Sequence, residues 1–178
     1  MLKLKNEFIL IKMVGKMGKY NTKYFQQIDI DESSFSESID VKFKNKLINI
    51  YLSDCNIYGE KIKTFLEIID RYTEINKIAK NAILENFTKN DIIQYYFQCH
   101  FDILEEEKVF KIFEVKTWEE FDLKKVVDEL DYPDLLFQIE NNKIIFSVDY
   151  QVSKEFSDEI LCVKMDEKLK VTGFSHES

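Results

Sequence analysis

The hydrophobic period of the chain changes twice, and that pair of changes limits the fold more than any other feature. Ile39, Val41 and Phe43 alternate with Asp40, Lys42 and Lys44, and after Asn45-Lys46 the alternation resumes as Ile48, Ile50 and Leu52. Period two with a polar two-residue break predicts a hairpin that buries one face. Tyr24 to Ile30 gives an earlier short strand, closed by Asp31-Glu32-Ser33-Ser34. After Gly59 the period is helical, with Ile62, Phe65, Leu66, Ile69 and Tyr72 on one face. A second stripe, Ile75, Ile78, Ala79, Ala82 and Ile83, is rotated from the first by roughly a hundred degrees, which predicts a break near Tyr72-Thr73-Glu74.

Two capping boxes open further helices. Thr88 with Asp91 precedes the stripe Ile92, Tyr96, His100 and Ile103, ended by Glu105-Glu106-Glu107. Thr117 with Glu120 precedes Trp118, Phe121, Val126, Val127 and Leu130, stopped by Asp131-Tyr132-Pro133-Asp134. Period two then returns. Asn141-Asn142 separates Leu135–Ile139 from Ile144, Phe146, Val148 and Tyr150, and Asp166-Glu167-Lys168 separates Leu161, Val163 and Met165 from Leu169 and Val171. The order strands, helices, strands predicts an α+β fold in which antiparallel β-hairpins flank a central helical segment. A length of 178 residues fits a single domain, 45% apolar residues with 15 Phe and 9 Tyr exclude a disordered chain, and 4 Gly with 1 Pro leave little for phosphate-cradling loops or propeller blades.

Charge narrows the partners. The chain carries 25 basic against 33 acidic residues, a formal −8, which argues against a nucleic-acid footprint. Arg71 is the only arginine, so bidentate recognition of phosphate is almost absent, and the lysine, asparagine and isoleucine bias points to AT-rich coding. Residues 1–26 hold six lysines against Glu7, a formal +5, so residues 27–178 carry −13. Phe8-Ile9-Leu10-Ile11 is interrupted by Lys12 and lacks a small-residue cleavage site, and no apolar run nears the ~20 residues that span a bilayer. Cys55, Cys99 and Cys162 form no C-x-x-C pair. The expectation is a cytoplasmic protein with no membrane and no nucleic-acid partner, its oligomeric state left open.

Acid–base or metal chemistry has to lean on His100 and His176, the two histidines. His100 lies on an apolar helical stripe, where a hydrogen-bonded core-edge ring is the plainer expectation; His176 and Glu177 end the chain. A tail folded back would bring His176 and Glu177 to His100 and Asp102, two histidines with carboxylates suited to a metal or a general base. Cys99 and His100, about 100° apart on a helix, are expected to point in different directions rather than to form a nucleophile–base pair. No H-E-x-x-H or G-x-S-x-G occurs, and Gly15-x-x-Gly18 lacks the third glycine of a nucleotide loop.

Tyr24-Phe25 leading into Ile28-Asp29-Ile30, the hairpin Val41–Leu52, Ala82-Ile83-Leu84-Glu85, Val148-Asp149-Tyr150 and the closing Glu177-Ser178 occur in that order. Together they resemble a bacterial family of uncharacterised domains known only as a domain of unknown function. The resemblance covers roughly Tyr20 to Ser178 and carries over no catalytic residue. It implies that residues 1–19 are a basic N-terminal extension outside a domain at 20–178, with Met13 or Met17 an alternative start.

The acidic groups Asp29-Asp31-Glu32, Glu105–Glu107, Glu119-Glu120-Asp122 and Asp128-Glu129-Asp131 are ordinary solvated faces or a docking surface for a basic partner. The functional expectation is a non-enzymatic acidic binding protein, of the kind that neutralises a basic toxin as an immunity protein, with Glu105, Glu106, Glu107, Glu119, Glu120 and Asp122 at the interface and no cofactor. The alternative is a metal-dependent or general-base hydrolase using His100, Asp102, His176 and Glu177.

Overall fold

Two Asn-containing turns set the sheet. Lys44 and Asn45 both have positive φ, 47° and 66°, and so do Asn141 and Asn142, 48° and 65°. Two consecutive left-handed residues make the turn whose twist matches that of paired strands, and asparagine tolerates that conformation best after glycine. These turns join β3 (Glu37–Phe43) to β4 (Lys46–Leu52), and β5 (Asp134–Glu140) to β6 (Lys143–Tyr150). With β7 (Ile160–Asp166) and β8 (Val171–Glu177) they form a six-stranded sheet in the order β3-β4-β5-β6-β7-β8. A separate two-stranded sheet pairs β1 (Met17–Thr22) with β2 (Gln26–Asp31). The computed structural model describes residues 17–31, 37–53, 57, 59–130 and 132–178. The expectations for residues 1–16, Glu32, Ser33, Ser34, Cys55 and Asp131 lie outside them.

The chain is α+β with strands before and after the helices. The expected antiparallel hairpins are present, but they are joined into one sheet by a parallel pairing. β4 pairs β5 in parallel, Ile50 opposite Leu135 and Leu52 opposite Phe137. Parallel neighbours need a long crossover, and the whole helical segment supplies it: α1 (Glu60–Ile69), α2 (Tyr72–Asn86), α3 (Asp91–Ile103), α4 (Glu106–Phe113) and α5 (Leu123–Glu129).

The helix boundaries follow from which side chains can cap. The break between the first two helices falls at Asp70-Arg71, just before the expected place. The Thr88 box is replaced by Asn90, whose side chain accepts from the amides of Ile92 and Ile93, while Phe87–Lys89 form a 3-10 turn. The Thr117 box fails in the same way. Glu120 accepts from the Lys116 amide, Trp118–Glu120 form a 3-10 turn, and Asp122 caps α5 by accepting from the Lys125 amide. Glu105–Glu107, read as a helix end, instead begins α4, because glutamates in a first turn meet the positive end of the helix.

One face of the six-stranded sheet takes the helices. Phe65 of α1 meets Phe137 of β5 at a ring separation of 4.8 Å, and the Tyr150 hydroxyl of β6 bonds Asn76 of α2. Tyr72 of α2 donates to the Pro133 carbonyl at 2.9 Å. By alternation, Ser147, Asp149, Cys162 and Ser175 lie on the other face, with Asp149 opposite Cys162 and Cys162 opposite Ser175. Among the described residues no helix is long and apolar enough to cross a membrane. β1 begins at Met17, so the boundary expected at Tyr20 falls within a strand.

Candidate functional site

The buried stripe of α3 runs through Ile93, Tyr96, Phe97, Cys99 and His100, rotated from the expected one so that Ile92 and Ile103 face outward. Tyr96 holds the centre of the site. Its ring lies 5.3 Å from that of His100 and 5.6 Å from that of His176, so the two histidines do come to one place, on a shared aromatic wall. His176 reaches it because β8 runs antiparallel to β7, opposite Leu161, and because its side chain points to the helix face. Glu177, one residue on, points to the opposite face, where Ser175 donates to it and its charge acts on Asp149 and Cys162. Asp102 is exposed on α3, and its charge acts on the Cys99 thiol. Of the four residues expected to converge, the two histidines share a wall, Asp102 lies near it, and Glu177 is on the far side of the sheet.

His100 is wholly buried and bonded at both ring nitrogens. Nδ1 lies 2.8 Å from the Tyr96 carbonyl, which can only accept, so Nδ1 carries the proton and Nε2 is the acceptor. The Ser157 hydroxyl, 2.9 Å away, donates to Nε2 and accepts from the Glu159 amide at 3.2 Å. Burial holds the His100 ring below the usual histidine range, with His176 adding to the effect and the Tyr96 carbonyl and Glu159 opposing it. A neutral imidazole with every polar atom satisfied fastens the loop at 151–159 to α3. Removing its partner by Ser157→Ala is expected to cost about 1–3 kcal/mol, because Nε2 stays buried without a donor. Urea unfolding measures this, and a loss below about 0.5 kcal/mol would show that the loop is held elsewhere.

Cys99 and His100 converge although their Cα–Cβ directions diverge on the helix. Both fold back onto the Tyr96 carbonyl, Cys99 Sγ at 3.0 Å, which leaves Sγ 3.6 Å from His100 Nδ1. Since Nδ1 already carries a proton, it cannot take one from the thiol, and the two form no nucleophile–base pair. Burial, reinforced by the charges of Glu159 and Asp102, pushes the Cys99 thiol up to about 11. Beside it, His176 Nε2 donates to the Glu159 carboxylate. Glu159, Ser157 and the inward thiol of Cys99 were not legible as site residues. The only trace in the sequence is the polar run Ser157-Asp158-Glu159 placed directly before an apolar strand.

The acidic segment has a different character. Glu105 pairs with Lys108, Glu107 with Lys111, Glu106 with Lys116, Glu114 with Lys125 and Asp128 with Lys124. Glu120 and Asp122 accept backbone amides, and Glu119 is exposed and has no ion pair among the described residues. Two large apolar residues interrupt these charges. Ile103 is 60% exposed at the end of α3, and Phe110 is 49% exposed on α4, one turn from Glu106 and Glu107.

Comparisons of the chain with protein-family models, curated proteins and solved structures find no match, so the likeness drawn from Tyr24-Phe25 to Glu177-Ser178 stands on those residues alone.

Proposed function

We propose that the chain is a non-enzymatic binding protein of the cytoplasm that docks a basic protein partner through α3 and α4, in the manner of a toxin-neutralising immunity protein. The exposure of Phe110 among Glu106, Glu107 and Lys111 is the observation that supports this reading best. Interfaces draw their energy from a few aromatic or apolar anchors, while surrounding charges select the partner and speed the encounter. Phe110 and Ile103 are such anchors, and the carboxylates Glu105, Glu106 and Glu107 are such a rim. Lysine pairing moderates the local charge, so steering comes from the −13 of residues 27–178 as a whole.

The genes that flank this one supply the test. A flanking gene whose basic product arrests growth, and whose arrest this chain relieves, is the expected finding. Phe110→Asp should weaken the purified complex by about 30-fold or more, the scale of a lost hot spot, with an unchanged circular dichroism spectrum. The association rate should fall steeply with salt, as the screening length shrinks from about 30 Å at 0.01 M to about 3 Å at 1 M. Flanking products whose toxicity ignores the chain, or a complex indifferent to both salt and Phe110→Asp, would overturn the reading.

A further inference from the structure

We propose that Cys99, Glu159 and His176 form a binding site for a zinc-class divalent metal ion, with a fourth coordination position left open. The Cys99 sulfur, a Glu159 carboxylate oxygen and a His176 ring nitrogen all lie within 4.8 Å of one another. Tetrahedral zinc holds sulfur at about 2.3 Å and nitrogen or oxygen at about 2.0–2.2 Å, which sets its ligands roughly 3.3–3.7 Å apart. The most distant pair therefore needs to close by about an ångström, while His176 Nε2 and the Glu159 carboxylate, now hydrogen-bonded, move apart to admit the ion, movements that side-chain torsions supply. Thiolate with imidazole selects borderline ions such as zinc over magnesium or calcium, which take oxygen ligands.

The three ligands come from separate elements that the fold already holds together. Cys99 sits on α3, His176 on β8 packed against it, and Glu159 at the end of the loop that Ser157 fastens to His100. Burial suits a metal. Cys99 is 4% exposed, and the side chains of His176 and Glu159 are 16% and 15% exposed. Tyr95, an exposed ring on α3, lies 5.4 Å from the ring of His176. In the metal-free chain the Cys99 thiol donates to the Tyr96 carbonyl at 3.0 Å, a hydrogen bond that loading gives up.

Loading balances simply. Cys99 gives its thiol proton to solvent, and the sulfur donates its electron pair to the ion. His176 releases the Nε2 proton to solvent and holds its one ring proton on Nδ1, so that the Nε2–Glu159 hydrogen bond is exchanged for two metal–ligand bonds. Asp102, one turn beyond Cys99 on α3, is a further carboxylate within electrostatic reach. Three protein ligands with one position open is the pattern of a zinc site that binds water or a substrate atom rather than a closed structural site.

Cobalt reports the geometry. Metal-free full-length chain titrated with Co2+ should develop a near-ultraviolet thiolate-to-cobalt band and strong visible bands of four-coordinate cobalt, saturating at one equivalent and erased by Zn2+. The Cys55→Ser/Cys162→Ser double variant leaves Cys99 as the only thiol and should keep the band. Cys99→Ser should lose it, and His176→Ala should weaken binding at least about tenfold. The melting temperature of the wild type, but not of Cys99→Ser, should rise with Zn2+. A wild type without the charge-transfer band at one equivalent overturns the site, as does its absence from the double variant. If Cys99→Ser fails to fold, the double variant still decides the matter.

Discussion

Tyr96→Ala is expected to cost about 3–5 kcal/mol of stability, the range for emptying a buried aromatic site, and roughly 6–20 °C in melting temperature for a chain of this size. The ring is fully buried and meets Phe97, His100 and His176 at 5.0, 5.3 and 5.6 Å. Its hydroxyl donates to the Tyr150 carbonyl at 3.2 Å and accepts from the Val152 amide at 3.1 Å, at the point where β6 gives way to the loop that carries Ser157 and Glu159. Tyr96→Phe separates the two contributions. It keeps the ring but leaves the Val152 amide without its acceptor, for about 1–3 kcal/mol. Thermal and urea unfolding of both variants measure the difference. A Tyr96→Ala loss below about 1 kcal/mol would show that the loop and β8 are anchored without it.

Asp149→Asn is expected to stabilise the fold by up to about 3 kcal/mol at pH 8 and to change it little below about pH 4. Burial pushes the Asp149 carboxyl up to about 6, with Glu177 and Asp134 adding to the effect and hydrogen bonds from Ser147 and Cys162 opposing it. One of its oxygens, Oδ1, is buried with no hydrogen-bond partner. The folded carboxyl binds its proton more tightly than the unfolded one does, so stability is greatest in acid and falls as pH rises from about 4 to about 6. His100 acts with the opposite sign. Its lowered pKa contributes stability above the ordinary histidine value of about 6.5, lost as pH falls below it. Urea midpoints across pH 4–8 should therefore show the Asp149→Asn gain growing through the middle of that range and then levelling. A gain equal at both ends would mean that the carboxyl titrates as if solvated.

The parts of the fold that could be read from the sequence are those in which local chemistry decides. Lys44-Asn45 and Asn141-Asn142 are turns because asparagine tolerates positive φ, and strands alternating on either side of them can pair only as hairpins. The helix starts were misplaced by two to five residues because threonine, asparagine and aspartate all cap, and which one does so depends on where the tertiary packing turns the chain. α4 was hidden because a run of glutamates reads equally as an end or as a first turn. The parallel pairing of β4 with β5 left no local trace, since its partners are 85 residues apart. For the same reason the histidines were visible as candidates, whereas Glu159 and Ser157 became so only when the loop between β6 and β7 was folded against α3.

That parallel pairing also sets an order of events in folding. Each hairpin closes over a turn of a few residues, but joining β4 to β5 closes a loop of 85 residues, which costs about 3 kcal/mol more in chain entropy. The ladder there covers three residue pairs, Ile50 to Leu52 with Leu135 to Phe137. The Asp134 carboxylate extends it by accepting from the Asn49 amide at 2.8 Å, and Ser53 donates to the Phe137 carbonyl at 2.9 Å. So short a junction cannot offset that entropy until the helices have docked and shortened the effective loop. The β3–β4 hairpin and the β5–β8 meander are thus expected to form as separate local units, with the junction between them the last backbone pairing to close, an order that hydrogen-exchange labelling during refolding would read out.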